Sequence, residues 1–384
     1  MRGRRKISRM SSPRVIVGLS GGVDSAVAAL LLKEQGFDVH GLFMDNWDED
    51  DEYCTAAQDF QDARAVAREL AIPLHRVSFA AAYRAQVFDR FLREHRAGRT
   101  PNPDVLCNRE VKFGLALPYA RRLGAQWFAT GHYARIERDP DGTPSLLKAR
   151  DASKDQSYFL HAITREQLAG TLMPLGGLEK SEVRERARRA GLPVFDKPDS
   201  TGICFIGERP FREFLARYLA DEPGEILSPE GELLGTHRGL AFYTLGQREG
   251  LQIGGRRGRV EAPWYVAAKD AARNALVVVQ GHDHPLMSSR ELVTGPMHWL
   301  AAPLSARLPC GVKVRYRQND QPAELEPLEN GAARIRFVDA QRAVTPGQYA
   351  VAYAGDRCLG GGVIESVTGA RYNPRSFPTA YDAA

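Results

Sequence analysis

Two rhythms of apolar and polar positions organise the first third of the chain. Short apolar runs, Val15 to Leu19, Val39 to Met44, Leu74 to Phe79 and Trp127 to Thr130, alternate with longer segments of helical spacing. Those segments are Val23 to Gln35, Ala56 to Leu70, Ala82 to Arg96 and Arg109 to Leu123. Repeated strand-helix units of this length predict a parallel sheet with helices on both faces. Ligands of such sheets gather beyond the carboxyl ends of the strands, where Ser20, Asp45 with Asn46, and Gly131 with His132 fall here. Glu179 to Ala190 and Phe211 to Leu219 predict further helices. After Pro223 the texture changes to short alternating runs such as WYVAAKD, ALVVVQG, KVRYRQ, ARIRFVD and QYAVAY. The expected organisation is a basic extension over 1–13, a Rossmann-like α/β domain over 14–220, a small mostly β domain over 221–281 and a β-barrel over 282–384. Barrels of this kind often contact nucleic acid, although a sandwich without an RNA role fits the same pattern.

The junction after the first strand carries the densest chemistry. Ser20-Gly21-Gly22-Val23-Asp24-Ser25 joins a buried apolar run to AVAALLLK, a string of strong helix formers. Glycines let backbone approach an oxyanion, the first helical N–H groups point at it, and two hydroxyls add donors. No Lys-Ser or Lys-Thr follows, so this is not a Walker A loop. The string resembles the pyrophosphate loop of ATP pyrophosphatases, which cleave between the α- and β-phosphates and leave AMP on a substrate oxygen.

Bulk properties narrow the class. A chain of 384 residues is expected to form two or three domains. No apolar run approaches a membrane span and no secretory signal is evident, so a cytoplasmic protein with no membrane partner is expected. The net charge of +5 is carried by Arg2, Arg4, Arg5, Lys6 and Arg9, and the remainder is balanced. That tail reads as a loose RNA contact, an unstructured extension or an upstream start before Met10. Five dispersed cysteines with no CxxC pair disfavour zinc and structural disulfides, and no metal-ligand set is identified.

Several shorter segments hold candidate chemistry. Gly98 to Lys112 (GRTPNPDVLCNREVK) interrupts the regular pattern, and its prolines predict extended or turned backbone from Thr100 to Asp104. Cys107 is then placed just before a helix starting near Asn108 or Arg109, where the helix dipole would lower a thiol pKa; a plain loop cysteine is the equal alternative. Cys204 lies in the Gly-flanked turn DSTGICFIG, and the two thiols together invite a sulfur-relay reading. Lys154, Asp155 and Gln156 form a turn suited to phosphate and base contact, or equally a helix cap at Asp155. Arg315-Tyr316-Arg317 offers charge and stacking, or an edge strand with Tyr316 facing the core. Asn46 to Glu52 carries five acids and reads as a solvated loop or a metal-attracting rim.

The motifs SGGVDS, GLFMDNW, EYC, GRTPNPDVLCN, ATGHYAR, KDQSYFL, DSTGICFIGER, TLGQR, PWYV and VTPGQ occur in one order from Arg14 onward. This ordered set closely resembles the bacterial tRNA-specific 2-thiouridylases, enzymes of the pyrophosphate-loop superfamily. Ala26 stands where a second Ser is common, and the first ten residues fall outside the likeness. The resemblance implies an adenine nucleotide alpha-hydrolase-like domain in which Gly18, Leu19, Ser20, Gly21, Gly22, Val23, Asp24, Ser25, Met44 and Gly131 bind ATP, with Mg2+ expected beside it. It implies that Asn102, Pro103 and Asp104 meet the target uracil. His132, Lys154, Asp155, Gln156, Arg315, Tyr316 and Gln348 are implied to contact the tRNA. Cys204 is implied to carry a persulfide from a donor protein, and Cys107 to be the nucleophile that forms a transient disulfide with it. The implied activity is ATP-dependent 2-thiolation of the wobble uridine in glutamate, lysine and glutamine tRNAs. Two other readings explain less: a synthetase acting on a small metabolite leaves both cysteines idle, and an RNA-binding protein without activity leaves the phosphate loop idle.

Overall fold

A computed structural model describes residues 12–47, 56–199, 211–253 and 262–369. They form two compact units that are not consecutive in sequence. One comprises 12–83, 108–157 and 163–199, and the other comprises 84–107, 158–162, 211–253 and 262–369.

In the first unit, strands β1 (Arg14–Gly18), β2 (Asp38–Asp45), β3 (Leu74–Ser78) and β4 (Trp127–Ala129) and a short strand Thr171–Leu172 make a five-stranded sheet. Its order is β3-β2-β1-β4 followed by Thr171–Leu172, and all four pairings are parallel. Val15, Ile16 and Val17 of central β1 are fully buried, which is why the run reads as continuously apolar rather than alternating. Helix α1 (Val23–Glu34) buries Ala26, Val27, Ala28, Ala29 and Leu32 against β1 and β2. Small residues let the helix sit close to the sheet. Helix α2 (Ala56–Glu69) adds Ala63 and Val66, and the helix Lys180–Arg189 adds Val183 and Ala187. The latter helix starts with a reciprocal capping box between Glu179 and Glu182. The chain leaves β1 toward β2 on one side, and β4 lies on the other. That reversal opens a crevice at the carboxyl end of β1, where α/β sheets bind ligands.

The second unit is mostly β after Pro223. Strands Gly224–Leu227, Leu233–His237, Trp264–Asp270 and Ala275–Gln280 form one four-stranded sheet. Six longer strands, from Ser288–Thr294 to Arg357–Gly369, form a barrel closed by pairing its first strand with its last. Leu292, Val312, Leu325, Ile335, Ala350 and Ile364 fill it. Among the described residues no helix is long and apolar enough to cross a membrane.

Two expectations are corrected. The helix expected from Arg109 begins at Pro103, because proline suits a first helical position and the Asn102 Oδ1 accepts the Asp104 N–H at 3.2 Å as its cap. Only the residues up to Asn102 are extended. The segment Arg315 to Arg317 is a turn rather than a strand, since Gln318 Oε1 takes the Val314 N–H at 2.9 Å and Arg317 adopts a φ of 64°.

The second unit also buries an aromatic cluster of Phe88, Phe91, Phe214 and Tyr218, with His95 against the Phe91 ring. His95 Nδ1–H donates to the Ala241 carbonyl at 3.0 Å, and its Nε2 is buried without a partner among the described residues. Burial pushes its pKa down to about 4, while the same side chain titrates near 6.5 when unfolded. The unfolded chain therefore binds the extra proton over that window, so stability falls as pH drops from about 6.5 to about 4. His95→Gln is expected to flatten that slope by about 2 to 3 kcal/mol across the window. Urea unfolding of both proteins at a series of pH values measures it, and an unchanged slope contradicts the assignment.

Candidate functional site

The turn Ser20 to Ser25, where phosphate binding is expected, is built by several constraints in the first unit. Gly22 ends the turn in extended conformation and provides no side-chain cap for α1, so the first-turn N–H groups receive no side-chain acceptor from that position. Ser25 Oγ donates to the Gly22 carbonyl at 3.0 Å and accepts the Ser20 N–H at 3.2 Å, which closes the turn on itself. Gly21 has a φ of 80° and lies where a Cβ would overlap the Asp59 carbonyl oxygen. Gly131, beyond β4, lies against the opposite side: its Cβ would be 2.8 Å from both the Asp24 carbonyl carbon and the Ser25 nitrogen. Met44 closes the neighbouring edge, with its Cε 3.5 Å from the Cβ position of Gly18.

Charge surrounds this turn in a pattern the sequence did not disclose. Lys180 Nζ donates to both Asp24 oxygens at 2.7 and 2.8 Å and contacts Asp199 Oδ1 at 2.8 Å. Asp199 also accepts from Lys154 at 2.8 Å and from Arg184 at 2.8 Å. Although burial opposes ionisation, these cations hold the Asp199 carboxyl well below its usual range. Tyr133 Oη donates to Asp24 at 2.8 Å, and burial and that carboxylate raise its pKa. On the other flank Lys197 joins the Gly21 carbonyl at 3.2 Å to Asp59 at 2.7 Å and Asp62 at 2.6 Å. Lys180 sits in a helix rich in charges, most of them on its outer face, so spacing alone could not separate it from them. The only available signal was its position in the first turn, next to the capping box.

Of the residues implied to meet RNA in this unit, Lys154 belongs to the charge network just described. Gln156 Oε1 accepts the Tyr133 N–H at 2.9 Å, while its own N–H returns to the Tyr133 carbonyl at 2.8 Å. Asp155 is buried and accepts from Ala149 N, Ser157 N and Ser157 Oγ, so its side chain shapes the turn from inside. His132 is buried with Nδ1 2.9 Å from Thr130 Oγ1. Burial, followed by the Lys112 charge, keeps it neutral well below its ordinary pKa.

In the second unit the segment leading to Asn102, Pro103 and Asp104 is tied down at successive residues. Thr100 N–H donates to the Pro346 carbonyl at 3.1 Å, and Gln348 Nε2 donates to the Thr100 and Pro101 carbonyls at 2.8 and 3.3 Å. A Cβ on Gly347 would collide with Thr100 backbone at 2.9 Å. Cys107 is buried one helical turn beyond Pro103. It is therefore inside the helix rather than ahead of its N-terminus, which withdraws the geometric basis for dipole activation. Arg315 is exposed on its turn, and the Tyr316 ring packs tilted at 44° against Phe159, with centroids 4.3 Å apart. Cys204, Cys54 and the basic tail up to residue 11 lie outside the described residues. Among the described residues no cluster of His, Cys, Asp or Glu suits a metal ion.

Comparison with known proteins matches three family profiles in order. The one described as "tRNA methyl transferase HUP domain" covers residues 13–208, "tRNA methyl transferase PRC-barrel domain" covers 212–280, and "Aminomethyltransferase beta-barrel domain" covers 289–364. The chain is 55% identical over 356 residues to the tRNA-specific 2-thiouridylase MnmA of Methylobacillus flagellatus, covering 92% of this chain and 99% of that protein. It is 57% identical over 357 residues to the protein of the same name from Marinobacter nauticus, covering 92% and 91%. Against that from Burkholderia thailandensis it is 54% identical over 384 residues, covering 98% and 99%.

The packing around the turn makes a testable contrast between glycines. Gly131→Ala is expected to destabilise the first unit by about 1 to 3 kcal/mol, because neither neighbour is a flexible side-chain end. Gly177→Ala, with nothing within 4 Å of the new Cβ, serves as the near-neutral control. Denaturant midpoints of both variants decide it, and equal values would refute the close approach.

Proposed function

Because the chain belongs to the tRNA-specific 2-thiouridylase family, we propose that it replaces the C2 oxygen of the tRNA wobble uridine with sulfur at the expense of ATP. The observation that carries this reading is the glycine-lined turn at the switch of the parallel sheet, built to receive pyrophosphate in a chain that also holds Cys107 and Cys204. Two of the matched profile descriptions mention methyl transfer, but that reaction gives a pyrophosphate loop no role.

A uracil C2 carbonyl is a poor electrophile whose oxygen cannot leave as oxide. Adenylation forms an O–P bond to the α-phosphate, breaks the α–β bond and releases pyrophosphate. The oxygen then departs as part of AMP. Residues Ser20 to Ser25 supply backbone and hydroxyl donors to the phosphates, and α1 contributes its positive N-terminal end. Lys180 and Lys154 stand ready to exchange carboxylate partners for phosphate oxygens. With Lys180 turned from it toward phosphate, the Asp24 carboxylate would be the group to hold Mg2+ beside a nucleotide. Once bound there, Mg2+ would screen the triphosphate charge. Asn102, Pro103 and Asp104 form the target-base contact, held rigid by Gln348 and Gly347.

Sulfur arrives as a persulfide on Cys204 from a donor protein. Its terminal sulfur becomes bonded to C2, AMP leaves, and Cys107 attacks Cys204 Sγ so that the S–S bond to the transferred sulfur breaks. The products are 2-thiouridine and a Cys107–Cys204 disulfide, which an external thiol reductant returns to two thiols. Burial of Cys107 protects its sulfur from bulk oxidants between turnovers. Glutamate, lysine and glutamine tRNAs are the expected acceptors.

The direct test incubates the protein with ATP, a persulfide donor and unmodified tRNA, then measures 2-thiouridine together with AMP. Absence of thiolation with an active donor overturns the reading. Cys107→Ser and Cys204→Ser are each expected to abolish product while leaving tRNA binding nearly intact; normal turnover by either variant removes that cysteine from the reaction. Lys180→Met is expected to raise the KM for ATP roughly tenfold or more, with Lys180→Arg intermediate. Deleting residues 1–10 should leave turnover unchanged.

A further inference from the structure

Three cations of the first unit converge on one carboxylate. Lys180 and Arg184, one turn apart in the helix Lys180–Arg189, each reach Asp199 Oδ1 at 2.8 Å, and Lys154 donates to Asp199 Oδ2 at 2.8 Å. Lys180 also holds Asp24, inside the turn Ser20 to Ser25, so a single ammonium joins the Asp199 carboxylate to that turn. Lys154, Arg184 and Asp199 are each about one-third exposed, which leaves the cluster within reach of a solute.

Two of these cations do not depend on Asp199 for their place. Lys180 keeps both Asp24 oxygens, and Arg184 Nη1 donates to the Phe195 and Lys197 carbonyls at 3.3 and 3.1 Å. The other carboxylates nearby are fixed by different partners. Asp151 accepts the Lys180 and Ser153 N–H groups and the Ser153 hydroxyl, while Glu179 and Glu182 flank Arg150 at 3.5 and 3.4 Å. With these acids counted the neighbourhood is close to neutral, so a further anion gains little by simple addition. It gains by replacing Asp199, because a phosphate group carries more charge than a carboxylate and offers more oxygens to the same donors.

We propose that Asp199 is an internal placeholder for a polyphosphate anion. Its carboxylate occupies the position that a phosphate of the nucleotide or of pyrophosphate takes between Lys154, Lys180 and Arg184. The arriving anion displaces it, and its return helps to expel pyrophosphate after adenylation. Asp199 is thus a positioning residue that acts through the three cations. The identity of the anion rests on the adenylation proposed above, whereas the competition itself does not.

The test titrates the full chain with inorganic pyrophosphate in metal-free buffer and follows binding by calorimetry. Asp199→Asn removes the charge and keeps the shape, and it is expected to bind pyrophosphate roughly 5- to 20-fold more tightly, as for loss of a competing, partly exposed ion-pair partner. Asp199→Glu should retain most of the competition. Arg184→Gln should weaken pyrophosphate by roughly 5- to 20-fold, and this variant decides the matter if Asp199→Asn does not fold. In steady-state thiolation Asp199→Asn should lower both the KM for ATP and the inhibition constant of pyrophosphate, whereas loss of a residue that merely braces the site would raise them. Equal or weaker pyrophosphate binding by folded Asp199→Asn, or unchanged binding by Arg184→Gln, overturns the proposal. Tighter binding by Asp199→Asn in a protein that does not thiolate tRNA upholds the placeholder and rejects the thiolation reading. Thiolation without such tightening rejects the placeholder alone.

Discussion

Everything at the carboxyl end of β1 depends on holding the first turn of α1 rigid while Gly22 provides no side-chain cap. Helix ends ordinarily satisfy such N–H groups with a side chain or water. Here Gly22 occupies the cap position, and Ser25 turns its hydroxyl back to the Gly22 carbonyl. The turn is pinned between the Asp59 backbone on the Gly21 side and Gly131 on the Asp24 side. Donors fixed in this way need little rearrangement when an oxyanion arrives, which is the source of electrostatic preorganisation.

Charge completes what shape begins. A cation near the turn would be free to wander on a long lysine stem, but Lys180 is held at three carboxylate contacts and Lys197 at three acceptors. Asp199 gathers Lys154, Lys180 and Arg184 at one point, so its carboxylate stays ionised despite partial burial. These groups are paired with one another rather than unsatisfied. A bound triphosphate would compete for cations already in position.

The second unit handles a different constraint, that of fixing an irregular segment without a helix or strand ladder. Thr100 and Pro101 would have unpartnered backbone in a loose loop. Instead the Pro346 carbonyl and the Gln348 amide take their polar groups, and Gly347 permits the close approach. Gln348 thus acts on the Asn102 segment through backbone. Its place in the motif VTPGQ has a structural basis as well as the RNA contact implied by resemblance.

Local chemistry made several features legible from residues alone. The apolar run Val15 to Leu19, the Gly-rich turn and the Ala/Leu-rich helix form from short-range preferences, so β1, the turn and α1 appear where the pattern puts them. The ordered motifs identified the family because each is a contiguous string. The helix start at Pro103 is not legible in the sequence because two prolines signal a break, whereas the Asn102 cap makes the second an N1 residue. The turn at Arg315 to Arg317 is hidden by an alternation that resembles a strand, and only the Gln318 contact to the Val314 N–H reveals it. Lys180, Asp199 and Lys197 were invisible as functional candidates. Their partners lie tens to more than a hundred residues away, and an ion pair is a property of three-dimensional neighbours. The sequence by itself therefore determined most of the elements, the Gly-rich turn and the family. Tertiary structure alone decided which charges are paired and which glycines are pressed against backbone, because both depend on neighbours distant in sequence.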